Sequence, residues 1–444
     1  LLSCNVCYAI HDLLLIYKVI TSNIGSKKII FNKKIKIYDN LAIMNKYFKL
    51  LNSEPILKRL SIIQLISYFG AWFSNVAIYT LLLNMNVSEG VIAFVAMLHF
   101  LAGVFQAPFS GSIIDSVKPK NLMLSLIALE IFSTLSLIFV NSMFDLWLLY
   151  TLIFIKMAAA SFYFTTEMAL LPKLLDGQKL QKANELHSII WSLSYTLGMA
   201  LSGFAVYLFG VKVAFILDAL MFVVAFGLLY SLEIKVEFIK TGENLVEMMR
   251  DTFSYLKRSK VAIHLMLIHS FVGLTAFDAL VALMVDKYYA SLIATSLALG
   301  LLHSARAVGL VIGPMVISKW INNKTLVYVF IAQGFAILLW AVTIDDFYLS
   351  LAASVIVGFF TTTLWSYTYT LLQKNIEQKY YGRIVAYNDM LFLSSAAFTS
   401  FMIGFLATRD FSLEIITSII GFGFFVGAIY FAWSVKTHSI KEIS

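Results

Sequence analysis

The chain has 444 residues, 60% of them hydrophobic and 13% charged, with a net charge of +8. A soluble domain carries about 45–50% apolar and about 25% charged residues, so this sequence lacks the polar groups to cover a soluble surface and belongs in lipid. The positive balance would suit nucleic acid, but the placement of the charges, set out below, assigns it to membrane topology and excludes a nucleic-acid partner.

The first residues stand apart. The chain begins with Leu, its first Met is Met44, and the apolar run at 13–20 is too short to cross a bilayer. Its lysines mostly follow that run, unlike those of a signal peptide. Residues 1–45 are expected to be a disordered extension or a misassigned start. The two cysteines, Cys4 and Cys7, lie here. A lone C-x-x-C without partner ligands predicts no metal site, and no cofactor is expected.

From about residue 59, apolar runs alternate with short polar loops. A bilayer core about 30 Å thick needs about 20 apolar residues as helix, and helix is required because unpaired backbone groups in lipid cost several kcal/mol each. Twelve runs meet this length: near 59–84, 88–110, 121–142, 146–171, 186–208, 211–232, 261–285, 291–317, 325–344, 347–372, 384–407 and 413–435. They are called spans 1 to 12. From residue 46 on, twenty-two lysines and arginines fall in the terminal segments and the even-numbered connections, and three (Lys212, Lys287, Arg409) fall on the other side. That bias predicts both termini in the cytoplasm of a cell (inner) membrane.

The runs repeat with an offset of roughly 200 residues, as expected for parallel repeats about an axis along the membrane normal. The sequence therefore divides into a six-helix bundle at 46–232, a linker at 233–260, a second six-helix bundle at 261–436 and a tail at 437–444. In the linker, Leu245, Met248, Met249, Phe253 and Leu256 form one stripe, predicting an amphipathic helix on the inner membrane surface.

Between spans 2 and 3 lies GSIIDSVKPKN, residues 111–121, a charged loop between two apolar runs. Twelve spans in two halves, a central linker and this G-x-x-x-D loop resemble the Major Facilitator Superfamily over nearly all of 46–436. ALLPKLLDGQKLQKANEL at 169–186, GVKVAFILDALMF at 210–222 and QKNIEQKYYGRIVA at 373–386 resemble the macrolide-efflux and siderophore-export branch of its drug–proton antiporters. The chain departs from the family loop at Ser116, where Arg is usual. The resemblance implies an all-α membrane fold of two pseudo-symmetric bundles that rock about a central cavity. It also implies that Asp115, with Gly111, latches onto the start of span 11 near Arg383 when the inner side is closed. Lys118 and Lys120 are expected to meet lipid head groups.

Charges inside spans are expensive and are functional hypotheses by default. There are seven: Glu130, Lys156, Glu167, Asp218, Asp278, Arg306 and Asp389. Lys156 lies near mid-bilayer on span 4, roughly where the antiporters carry an Arg, so the resemblance implies a part in coupling or cargo binding. Alternatively it pairs with Asp218 or Glu130 and holds the N-terminal half together. Asp278 on span 7 is the first candidate to carry a proton, with Arg306 or His303 on span 8 as its partner, or else a fixed polar link between the two spans. Glu167 and Asp389 lie near the cytoplasmic face, and Asp389 is expected at the gate.

The cytoplasmic ends of spans 4 and 10, SFYFTTE at 161–167 and TTTLWSYTYT at 361–370, carry rings and hydroxyls where lipid would favour aliphatics. Tyr163, Thr361, Trp365 and Tyr367 are expected to line a cavity for an amphipathic cargo. Trp72, Phe73 and Asn75 of span 1 join them, since the resemblance places spans 1, 4, 7 and 10 there. The histidines are scattered and no P-loop is present, which argues against an enzyme or ATP drive. The expected function is a monomeric, proton-coupled exporter of a hydrophobic or amphipathic small molecule. The alternative is a lipid flippase or an uncoupled facilitator of the same fold.

Overall fold

The computed structural model describes residues 47–175, 177–234, 245–317, 320–377, 380–438 and 440. The extension expected over 1–45 lies outside these. The chain divides into a unit Leu1–Pro55 and a unit Ile56–Ser444. In the first, residues 47–53 form a short helix in which Ser53 Oγ donates to Leu50 O at 2.9 Å.

The second unit holds the spans. Among the described residues, twelve helices are long and apolar enough to cross a membrane: Pro55–Asn84, Glu89–Ser110, Pro119–Phe139, Met143–Leu174, Gln178–Phe209, Val211–Tyr230, Lys260–Tyr289, Thr295–Ile317, Asn323–Val342, Phe347–Asn375, Arg383–Ala407 and Leu413–Thr437. No strand occurs among the described residues. The expected edges hold to a few residues except at span 5, which starts earlier than its apolar pattern. Its first turns, QKLQKANEL, are made of good helix formers and continue the helix out of the apolar zone.

Local chemistry sets several ends. Asn322 caps span 9 by accepting from Lys324 N and Thr325 N, both at 2.9 Å. Asp346 accepts from Leu349 N at 2.8 Å at the start of span 10. Spans 5 and 6 are joined by Gly210 alone, whose φ of 81° no other L-residue adopts without strain. Lys120 Nζ donates to Tyr230 O at 2.8 Å and lies over the Tyr230 ring, capping the exposed C-terminus of span 6.

Spans 1 and 7 are the most enclosed, with 67% and 78% of their apolar windows buried, against 28% for span 4. Within the first half, span 3 packs on spans 4 and 6, and span 2 on span 4. Within the second, span 8 packs on span 10 and span 9 on span 12. Across the seam, span 2 lies along span 11 and span 5 along span 8. The halves repeat in detail as well as in outline. Tyr68 Oη of span 1 donates to Glu167 Oε2 of span 4 at 3.3 Å, and His269 Nδ1 of span 7 bonds Thr368 Oγ1 of span 10 at 2.8 Å. Both bonds join residues 99 apart.

Span 7 is not one helix. Helix Lys260–Ser270 tightens to a 3₁₀ turn at Phe271–Thr275, breaks, resumes at Asp278–Met284 and widens at Val285–Tyr289. Broken helices persist in lipid only where neighbours take up the freed backbone groups. Here Arg306 Nη2 donates to Thr275 O at 2.9 Å and the guanidinium lies 4.9 Å over the Phe277 ring.

Small residues let helices approach where lipid supplies no hydrophobic drive. Spans 8 and 10 cross at Gly309, Gly313 and Gly358, where an added Cβ would strike the carbonyls of Val355, Phe359 and Arg306 respectively. Gly313→Val is therefore expected to destabilise the protein by at least about 2 kcal/mol, seen as a lower midpoint in thermal unfolding of the detergent-purified chain. An unchanged midpoint would remove this crossing from the packing argument.

Candidate functional site

The first polar centre lies within the N-terminal half. Lys156 Nζ of span 4 bonds Asp218 Oδ2 of span 6 at 3.0 Å and Thr134 Oγ1 of span 3 at 2.7 Å, and lies 4.6 Å over the Phe222 ring. Lys156 and Asp218 are fully buried and Glu130 is 2% exposed. Glu130 stands one turn before Thr134 on span 3 and feels both charges. The sequence left open whether Lys156 faces cargo or ties helices together, and the structure pairs it with Asp218. The tie is tight: a Cβ on Gly70 of span 1 would meet Asp218 Oδ1 at 2.5 Å.

The second centre bridges the halves at mid-depth. Asn75 Nδ2 of span 1 donates to Asp278 Oδ1 at 3.1 Å, where span 7 resumes after its break. The Asp278 charge reaches Tyr79, His99, Tyr195 and His303. Tyr195 Oη of span 5 meets His303 Nδ1 of span 8 at 3.5 Å, a second bond across the seam. Tyr79 stacks on His99. Asp278 thus takes Asn75 as its bonded partner, and Arg306 serves the Thr275 carbonyl, so neither expected pairing with span 8 forms directly. Sequence reading missed Tyr79, His99 and Tyr195. Only contacts between spans distant in sequence reveal them.

The third region lies toward the face that carries the basic loops, called here the basic face. Trp365 is 40% exposed, yet it sits nine residues, about two and a half turns, from the outward-facing Ile356. It therefore points into the bundle, against buried His269 at 5.8 Å and stacked with Tyr369 at 5.1 Å. Phe164 of span 4 is 38% exposed and packs on Tyr68 and His187. Both halves thus carry a partly exposed ring in the basic-face half of the bundle.

The other expected lining residues are placed differently. Trp72 packs edge-on against Trp191 and Tyr195. Phe73, Asn75 and Tyr163 are buried. Thr361 and Tyr367 reach toward span 9, bonding Gln333 at 3.4 Å and Asn323 at 3.2 Å. Their hydroxyls find protein partners there, which the shared stripe with Trp365 did not reveal. A separate depression of about 370 Å³, lined by Leu81, Asn84, Phe209 and Lys212 among others, opens at the opposite face and holds none of the intramembrane acids.

At the basic face, Arg383 Nη1 pairs with Asp251 Oδ2 of the linker helix Leu245–Arg258 at 3.5 Å. Tyr380 Oη also donates to Asp251, at 3.3 Å, and Tyr255 stacks on Tyr380 at 4.2 Å. Tyr255 and Leu256 are buried, so this helix docks on the second half of the protein rather than resting on lipid alone. The side chain of Asp115 lies outside those described, as does Gly111. Asp389 accepts from Asn388 Nδ2 at 3.3 Å on span 11.

A lipid-embedded body of two like six-helix halves, with polar groups gathered at their seam, is the architecture of a secondary transporter. The family model of the Major Facilitator Superfamily matches residues 60–399, and the chain belongs to that family. Among solved structures, the nucleoside transporter NupG superposes with a TM-score of 0.61 at 13% identity, covering 86% of this chain and 99% of that one. A D-xylose-proton symporter superposes with a TM-score of 0.66 at 12% identity, covering 84% and 97%. At these identities the likeness is one of fold. No curated protein matches the sequence.

The buried Lys156 predicts a stability result. Lys156→Met leaves the fully buried Asp218 without its cation and is expected to cost about 3–5 kcal/mol. Adding Asp218→Asn removes one stranded charge and should recover much of the loss in thermal unfolding. Equal midpoints for the single and double variants would contradict the pairing.

Proposed function

We propose that this protein exports a hydrophobic or amphipathic small molecule, drug- or siderophore-like, from the cytoplasm in exchange for protons, by rocking of its two halves. The observation that carries this reading is the Asn75–Asp278 bond. A carboxylate on one half accepts from an amide on the other, at mid-membrane, beside a break in its own helix. A hydrogen bond to a carboxylate is about twice as strong as a neutral one. Protonation of Asp278 would weaken the bond across the seam, so proton occupancy and separation of the halves are linked. His303 and Tyr195 extend the same seam, and Arg306 holds the broken backbone beside it. Lys156 with Glu130 and Asp218 serves as a fixed charge cluster inside the first half.

The exposed rings of Trp365 and Phe164 support the cargo class, since aromatic faces suit the body of an amphipathic molecule. The basic-face bias supports a cytoplasmic opening and cytoplasmic termini. Arg383 and Asp389 form the gate on that side with the linker helix, and Asp115 completes it. The chain acts as a monomer, with protons as coupling ion.

In proteoliposomes, an imposed proton gradient should drive cargo accumulation that stops when the gradient is collapsed. Equal rates in both conditions would favour the uncoupled facilitator or lipid flippase instead. Asp278→Asn should abolish gradient-driven accumulation while leaving cargo exchange across the membrane; unchanged coupling would remove Asp278 from the mechanism. Cysteines placed by Lys118→Cys and Leu180→Cys, in a chain lacking Cys4 and Cys7, should label from the same side of the membrane. Labelling from opposite sides would overturn the topology.

A further inference from the structure

We infer that the depression at the face opposite the basic loops is a binding site for a single-chain amphiphilic anion, such as an acyl carboxylate. Its lining comes from spans 1, 3, 5 and 6 and the turns beside them, all in the first half. The site therefore goes beyond the transport reading and does not depend on the direction or coupling of transport.

The argument starts from Lys212. The sequence places three basic residues on this face, and two of them are engaged. Arg409 lies 3.7 Å over the Phe405 ring, and Lys287 lies 5.5 Å over the Tyr288 ring with its charge reaching Glu414. Lys212 has no ion pair, hydrogen bond or ring partner among the described residues. It stands on the lining of a cavity of about 370 Å³. The Asn84 side chain, at the end of span 1, lines the same cavity and likewise has no hydrogen-bond partner among the described residues. No lining residue is acidic. Two acids close to the lining in sequence are already committed. Asp218, one turn past Phe215, is paired with Lys156. Asp145 accepts from Asn141 N, Ser142 N and Ser142 Oγ at 2.9–3.0 Å within its own loop. An unpaired cation and a free amide on a hollow that holds no acid are complementary to an anion.

The rest of the lining says what the anion is attached to. Leu81, Leu137, Phe209 and Phe215 make it apolar, so it suits a hydrocarbon body. The volume is near the lower end of the about 300–1,000 Å³ of small-molecule sites, which suits one chain rather than the paired chains of a phospholipid. The backbone favours the same sign of charge. Span 6 begins straight after Gly210, and no side chain caps its first turn, whose N–H groups have no partner within the helix. A Cβ on Gly210 would meet no atom within 4 Å, so the space beside this turn is open. The acid head is thus met by Lys212, Asn84 and the start of span 6, and the chain by the apolar side chains.

The test uses the full-length chain in phosphatidylcholine nanodiscs and two photoreactive probes, dodecanoate and dodecanol, each with a diazirine at the tail. The probes differ only in the head group, and the crosslinked peptides are mapped by mass spectrometry. The acid should label the segments around Leu81, Leu137 and Phe215 about fivefold more than the alcohol, equivalent to about 1 kcal/mol. Lys212→Gln, at an exposed position that folding tolerates, should bring the acid down to the level of the alcohol. Lys212→Arg should keep the preference. Val211→Trp fills the hollow and should lower labelling by both probes there, while labelling of lipid-facing surfaces elsewhere stays. Equal labelling by acid and alcohol, a preference that survives Lys212→Gln, or labelling with no enrichment at the cavity overturns the site. Replacing part of the phosphatidylcholine by phosphatidylglycerol separates the two sources of an anionic head. Labelling by the acid should persist; its loss would give the cavity to a bilayer phospholipid and overturn the single-chain assignment.

Discussion

In hydrocarbon no water stands ready to satisfy a polar group, so each one must find its partner within the protein. That constraint explains where the polar side chains of this protein sit. Lys156 reaches Asp218 and Thr134, Arg306 reaches the carbonyl exposed by the break in span 7, and Asn75 reaches Asp278. Each partnership joins different helices. The same bonds that remove the desolvation penalty therefore fix which helices are neighbours.

The partnerships differ in what they join. Lys156–Asp218–Thr134 is contained in one half and ties spans 3, 4 and 6 into a rigid body. Asn75–Asp278 and Tyr195–His303 cross the seam, so they persist only while the halves hold one relation. A protein that must change the angle between two bodies needs strong bonds inside each and breakable ones between them. Charged, fully buried contacts occupy the first role. The second falls to an amide on a carboxylate and a long phenol–imidazole contact.

Much of the fold was legible in the sequence because lipid imposes length. A run of about 20 apolar residues has few alternatives to a spanning helix, and twelve such runs with an internal offset specify two like bundles. The site was less legible. That Lys156 needed a buried acid followed from its charge, and Asp218 was among the candidates. That Asp278 would meet Asn75 did not follow, because helix depth ranks candidates on adjacent spans and says little about spans 1 and 7, two hundred residues apart. Thr361 and Tyr367 show the same gap: a stripe gives the shared side of a helix without naming the neighbour that faces it. The break in span 7 carried only a faint signal, Gly273 beside Phe271, Val272 and Thr275, which are weaker helix formers than Leu or Ala.

At the seam between spans 5 and 8, Gly203 and Gly300 face each other so closely that their Cα atoms would crowd any added Cβ. Backbone there rests on backbone, with no interlocking side chains to disengage. Such a contact resists separation yet offers little obstruction to turning. It has the properties of a bearing, and in the rocking proposed above it would put the pivot at the end of the molecule away from the basic face.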